Sequence, residues 1–108
     1  MDDIIQKVEE IARDYVKEVK KHVNVNKAFL YGSYVKGTYD ENSDLDIAIF
    51  SESFKDKKFV EVTAFLFSLA RKYKEICIEP VGFSNVDIIS NNPFIKEIIN
   101  TGKEISIH

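Results

Sequence analysis

Apolar residues at Ile4, Val8, Ile11, Ala12, Tyr15, Val19 and Val23 recur at the spacing of one helix face, with Glu, Arg, Asp and Lys between them. The pattern predicts an amphipathic helix over roughly residues 3–22. Asp2 and Asp3 at its front and Lys20 and Lys21 at its end suit the helix dipole. His22 falls at its solvated end and takes no catalytic role. Polar Asn24 to Asn26 then lead into an apolar run that predicts a first strand over about residues 26–31. Ser33 stands at the N-cap position of a short helical turn that Gly37 closes, and Thr38 to Ser43 form a polar loop rich in turn residues.

The second strand, about residues 44–50, is nearly continuous in apolar residues after its aspartates, which fits burial on both faces. Ser51 to Lys58 reads as a charged loop. Helical spacing returns over about residues 58–73, where Phe59, Val62, Leu66, Leu69, Ala70 and Tyr73 form one stripe. Val60, Ala64 and Phe67 lie off that stripe and Phe65 widens it. A helix so apolar around its girth is expected to be buried on more than one side, against a broad core or in part against another chain. Ile76 and Ile78 alternate with Cys77 and Glu79 in a third strand over about residues 76–83. Pro80 cannot donate a ladder hydrogen bond, so this strand is at an edge, bulged or ending there. Residues 84–92 read as irregular. Asn92-Pro93 opens a last short helix carrying Phe94, Ile95, Ile98 and Ile99, and Gly102 ends it. Ile105 and Ile107 either make a terminal strand or simply pack.

The order α, β, short α, β, α, β, α suggests an α/β (or α+β) fold with a small mixed sheet of three to four strands covered by helices. The short link between the first two strands suits antiparallel neighbours, and the span from Phe50 to Ile76 is long enough for a helical crossover to a parallel strand. At 108 residues, 1–108 reads as one domain. A net charge of −3 leaves no footprint for bulk nucleic acid. No apolar run approaches the length of a membrane span, Met-Asp-Asp-Ile has no signal-peptide character, and Cys77 is the single cysteine. A cytoplasmic protein is the expectation.

The candidate chemistry lies between the first two strands. In a strand, residues i and i+2 share a face, so Asp44 and Asp46 point one way and Leu45 and Ile47 the other. Two adjacent carboxylates repel unless a cation lies between them, which suggests a divalent metal. Gly32-Ser33 at the preceding strand end allows close backbone approach and leads into a helical turn that favours anions, with Lys36 one turn along. The two parts together suit a triphosphate and the magnesium bound to it. Glu79 is the candidate third carboxylate, and three acids can hold two metals. Such chemistry needs positioning and charge stabilisation more than a protein nucleophile.

Gly32-Ser33, ten intervening residues and Asp44-Leu45-Asp46 match the signature of the nucleotidyltransferase superfamily. In its shortness the chain resembles the minimal nucleotidyltransferases, the MNT-domain proteins. The resemblance implies a DNA-polymerase-β-like palm fold and transfer of AMP from ATP with two magnesium ions. By position it makes Asp44, Asp46 and Glu79 the catalytic metal ligands. It places Gly32 and Ser33, with Lys36 and Ser43, around the nucleotide phosphates. The family's third acid is most often Asp, where this chain has Glu79. Minimal members often pair with a HEPN-domain ribonuclease toxin and, as antitoxins, add AMP to one of its tyrosines. That implies a protein partner and a hetero-oligomer, with a homodimer as the other assembly. Two other functions remain open at this point: an antitoxin that neutralises its partner by contact alone, and nucleotidylation of a small molecule such as an aminoglycoside.

Overall fold

A computed structural model describes residues 2–40 and 42–107. Helix α1 runs Asp2–Lys20 and is followed by strand β1 at Lys27–Tyr31 and the one-turn helix α2 at Ser33–Lys36. Strand β2 (Leu45–Phe50), helix α3 (Phe59–Ala70), strand β3 (Ile78–Phe83), helix α4 (Pro93–Thr101) and the two-residue strand β4 (Lys103–Glu104) complete the order. The four strands form one sheet in the order β3-β2-β1-β4. β1 is antiparallel to both β2 and β4, and β2 is parallel to β3. The expected α/β architecture is present, with α3 as the crossover between the parallel pair.

Both faces of the sheet are covered, which explains the unbroken apolar run in β2. Leu45, Ile47 and Ile49 join Ala28 and Leu30 in a core beneath α1 and α3, filled by Val8, Tyr15, Val16, Val19, Val62 and Leu66. Ala48, Phe50 and Phe29 face the other way, under Ile95 and Ile98 of α4. Tyr15 is fully buried, and its hydroxyl donates to the Leu66 carbonyl at 2.7 Å, tying α1 to α3. Burial pushes that phenol well above its ordinary range. The pairing is needed because a buried hydroxyl without a partner is costly.

Several boundaries and caps differ from the sequence reading. α1 stops at Lys20 and leaves Lys21 and His22 in a turn. The side chains of Asp2 and Asp3, read as dipole-complementing acids, lie outside the described residues. Gly32, not Ser33, occupies the N-cap of α2, and Ser33 is the first helical residue. β3 begins at Ile78, because Ile76 and Cys77 are still in the turn that brings the chain back to the sheet. Its position at the sheet edge accommodates Pro80. Ser51 caps a 3-10 turn at Glu52–Phe54 inside the charged loop. The stretch read as irregular contains a 3-10 turn at Asn85–Ile89, capped by Ser84. β4 precedes Ile105, which packs buried in the core beside β1.

Within the chain α3 packs against β3 and α1 and leaves part of its apolar girth in solvent. Val62, Leu66 and Ala70 face the sheet, whereas Phe59 and Val60 at its start stand 63% and 68% exposed. Of the second apolar set, Val60 and Phe67 lie outside the packing of the helix on β3 and α1. At α4, Asn92 Oδ1 accepts from the Phe94 N–H at 2.9 Å and Pro93 takes the first helical position, as the sequence indicates. Among the described residues no helix is long and apolar enough to cross a membrane.

Candidate active site

Gly32 makes the tightest turn of the site. Its φ of 82° lies in the left-handed region that favours glycine. A Cβ there would meet the Asp46 carboxylate, which would have to shift to make room. The backbone at the end of β1 is therefore pressed against the second aspartate, on the next strand. This contact joins the two halves of the motif into one surface, with Ser33 opening α2 directly beside it.

Register assembles the rest. Asp46 pairs with Tyr31 on the antiparallel side and with Glu79 on the parallel side. Tyr31, Asp46 and Glu79 thus form one row across three strands, on the sheet face shared with Phe29, Ala48 and Phe50 and opposite Leu45 and Ile47. Asp44 lies two residues before Asp46, just ahead of the strand. The Leu45 N–H donates to the Cys77 carbonyl at 2.8 Å, extending the parallel ladder to the strand starts. All three candidate acids therefore lie at one end of the sheet. Among the described residues no three His, Cys, Asp or Glu side chains already form a closed ligand set.

The carboxylates at this end of the sheet repel one another. Burial, then Glu79, then Asp44 push the Asp46 carboxyl up from its ordinary 3.8 to about 6. Burial, then the Asp46 and Glu79 carboxylates, push the Tyr31 phenol up to about 12, so it stays protonated beside them. Burial and the Asp44 carboxylate raise the Cys77 thiol as well. Carboxylate oxygens are the donors a hard cation takes, and magnesium is commonly held by one or two carboxylates plus substrate phosphates.

The two outlying phosphate candidates are engaged elsewhere. The Ser43 hydroxyl accepts from the Asp40 N–H at 2.8 Å, while Asp40 Oδ1 accepts from the Asn42 N–H, so the hydroxyl closes its own loop. Lys36 Nζ lies 3.6 Å from Glu97 Oε2 of α4, a pair more than half exposed on both sides. An exposed pair of this kind is worth less than about 1 kcal/mol and is readily exchanged for a phosphate. Two neighbours escaped the sequence reading. Tyr31 was legible only as a strand end, because its place beside Asp46 depends on the register between β1 and β2. Phe94, edge-on to Tyr31 with centroids 5.8 Å apart, arrives from the last helix and carries no local signal. A cleft of about 570 Å³ is lined by Tyr34, Ser43, Phe67, Arg71, Tyr73 and Cys77.

A mixed sheet with a glycine turn and an Asp-x-Asp pair on one hairpin, and a third carboxylate on the parallel neighbour, defines a palm-type nucleotidyl-transfer domain. Residues 13–107 match the family described as polymerase beta, nucleotidyltransferase, and the chain belongs to that family as a nucleotidyltransferase. A Methanocaldococcus jannaschii protein provisionally named a protein adenylyltransferase is 33% identical over 101 residues, covering 85% of this chain and 96% of its own length. The protein adenylyltransferase MntA of Thermococcus cleftensis is 33% identical over 66 residues, 60% of this chain and 67% of that protein. A crystal structure of a provisionally assigned nucleotidyltransferase from Sulfolobus solfataricus shares the fold. Its TM-score is 0.53 at 20% identity, with 74% of this chain and 68% of that one covered.

Proposed function

We propose that this nucleotidyltransferase moves the adenylyl group of ATP onto a tyrosine hydroxyl of a partner protein, acting in the cytoplasm as the antitoxin of a HEPN-domain ribonuclease toxin. The observation that carries the transfer chemistry is the register that sets Glu79 level with Asp46, two residues from Asp44. The names of the Methanocaldococcus and Thermococcus relatives support a protein as acceptor. The toxin and the tyrosine rest on the resemblance to minimal nucleotidyltransferases.

In this reading the acceptor oxygen attacks the α-phosphorus, the bond to the β-phosphate oxygen breaks, and pyrophosphate leaves as the hydroxyl loses its proton. Asp44, Asp46 and Glu79 would hold magnesium, which supplies neutralisation of the phosphate charge and activation of the acceptor hydroxyl. Gly32 lets the triphosphate approach the backbone, Ser33 contacts it, and Lys36 exchanges Glu97 for phosphate. Tyr31 stays neutral beside the carboxylates.

The test is transfer of label from α-labelled ATP, with magnesium, to a HEPN-domain protein. The wild type is expected to label a tyrosine, and the Asp44→Asn plus Asp46→Asn variant to lose the transfer by a factor of about 10³ or more. Absence of label with the wild type, or equal label with the double variant, refutes the proposal. A double variant that still neutralises the toxin would point instead to an antitoxin acting by contact.

A further inference from the structure

Asp46 is fixed inside β2, between Tyr31 and Glu79, but Asp44 stands one residue before the strand. The hydroxyls of Ser43 and Tyr34 are engaged elsewhere. Ser43 Oγ accepts from the Asp40 N–H, and the Tyr34 hydroxyl donates to the Ser43 carbonyl at 3.5 Å. A different donor comes from the parallel neighbour. β2 and β3 align Leu45 with Ile78 and Asp46 with Glu79, and the same alignment one residue back sets Cys77 beside Asp44. The hydrogen bond from the Leu45 N–H to the Cys77 carbonyl, at 2.8 Å, holds that position. Side chains two apart share a face, so Asp44, Asp46, Cys77 and Glu79 make a two-by-two block at the sheet end. Burial, then the charge of Asp44 and a hydrogen bond to its carboxylate, raise the Cys77 thiol.

We propose that Cys77 is a positioning residue for the metal site, its thiol donating to Asp44 and holding that carboxylate toward Asp46 and Glu79. The proposal rests on the nucleotidyl-transfer reading above, in which Asp44 is a metal ligand. Magnesium takes oxygen donors, so the thiol acts through the aspartate and not on the ion. A carboxylate at this corner of the block would repel Asp44, and a cationic side chain would compete with the metal. A neutral donor does neither. Hydrogen-bond partners of a ligating carboxylate fix its orientation and are commonly worth about tenfold or more in metal affinity. An S–H is a weak donor, which puts its effect at or below the low end of that range. The Cys77 backbone is set by the sheet ladder, whereas its side chain is exposed and fills no part of the core. Changing the side chain therefore tests the contact with the fold intact.

The test reads metal affinity directly, with manganese as the probe, because it takes the same oxygen donors and is visible by electron paramagnetic resonance. Titration of the purified full chain gives a Kd that does not depend on transfer. Cys77→Ala is expected to weaken manganese binding about threefold to tenfold, with the urea midpoint unchanged. Cys77→Ser keeps a donor at the same place and is expected to stay within about twofold of the wild type. Equal affinity of Cys77→Ala and the wild type, or a loss that Cys77→Ser does not restore, overturns the positioning role. A wild type that takes up no manganese overturns it together with the metal reading of the three acids. Manganese binding that depends on Cys77, in a chain that transfers no label from α-labelled ATP, upholds the positioning role and overturns the transfer instead.

Discussion

Replacing Asp46 by Asn is expected to stabilise the free protein while it abolishes catalysis. The carboxyl is pushed from 3.8 to about 6 by burial and by Glu79 and Asp44, so the folded state holds its proton more tightly than the unfolded chain. Its contribution to stability is full below about pH 3.8 and is lost as pH rises through about 6. At pH 7.5 the native state thus carries an ionised group its surroundings resist. The shift corresponds at face value to about 3 kcal/mol. Asp46 is only half buried, and solvent screening reduces this to about 1 kcal/mol. Asn has the shape of the carboxyl, removes the repulsion and can donate to Glu79. Urea or thermal unfolding in EDTA at pH 7.5 should show Asp46→Asn more stable by about 1 kcal/mol. For a domain of this size that raises Tm by roughly 4–8 °C. The gain should vanish toward pH 4, where the wild-type carboxyl is protonated in the native state. A variant less stable than the wild type at pH 7.5, or a gain that does not change with pH, refutes the reasoning.

Three other outcomes follow from the same geometry. Magnesium should raise the wild-type Tm more at pH 8 than at pH 5, since protons and metal compete for the acids, and Glu79→Gln should weaken the effect; calorimetry at the two pH values measures both. Gly32→Ala meets Asp46 in a backbone conformation unfavourable to Ala. It should cost about 1–3 kcal/mol and remove ATP binding in a fluorescence titration. Tyr15→Phe removes the hydrogen bond to Leu66 and should cost about 1 kcal/mol in urea unfolding, with transfer activity unaltered, because it lies in the core across the sheet from Asp46.

Elements with strong local periodicity could be read from the chain alone. The α1 stripe, the apolar run of β2 and the Asn92-Pro93 start of α4 each depend on neighbours a few residues away. Spacing also placed Gly32-Ser33 and Asp44-Leu45-Asp46 at a strand end and a strand start, and it nominated Glu79. The sequence left open whether the broad apolar girth of α3 meets a broad core or in part another chain; within the chain it packs on β3 and α1 and leaves Phe59 and Val60 exposed. Capping chemistry favoured Ser33, yet the close approach of Asp46 to the backbone makes Gly32 the cap.

The order of elements, the face of each strand and the identity of the acids were thus determined by the sequence, because side-chain period and turn chemistry are local properties. Tertiary structure alone decided that Glu79 lies level with Asp46, that Tyr31 completes the row, and that Phe94 packs edge-on against Tyr31. Each of these joins residues far apart in the chain. Their alignment depends on how α3 and α4 pack on the two faces of the sheet, and no local pattern encodes the register between remote strands.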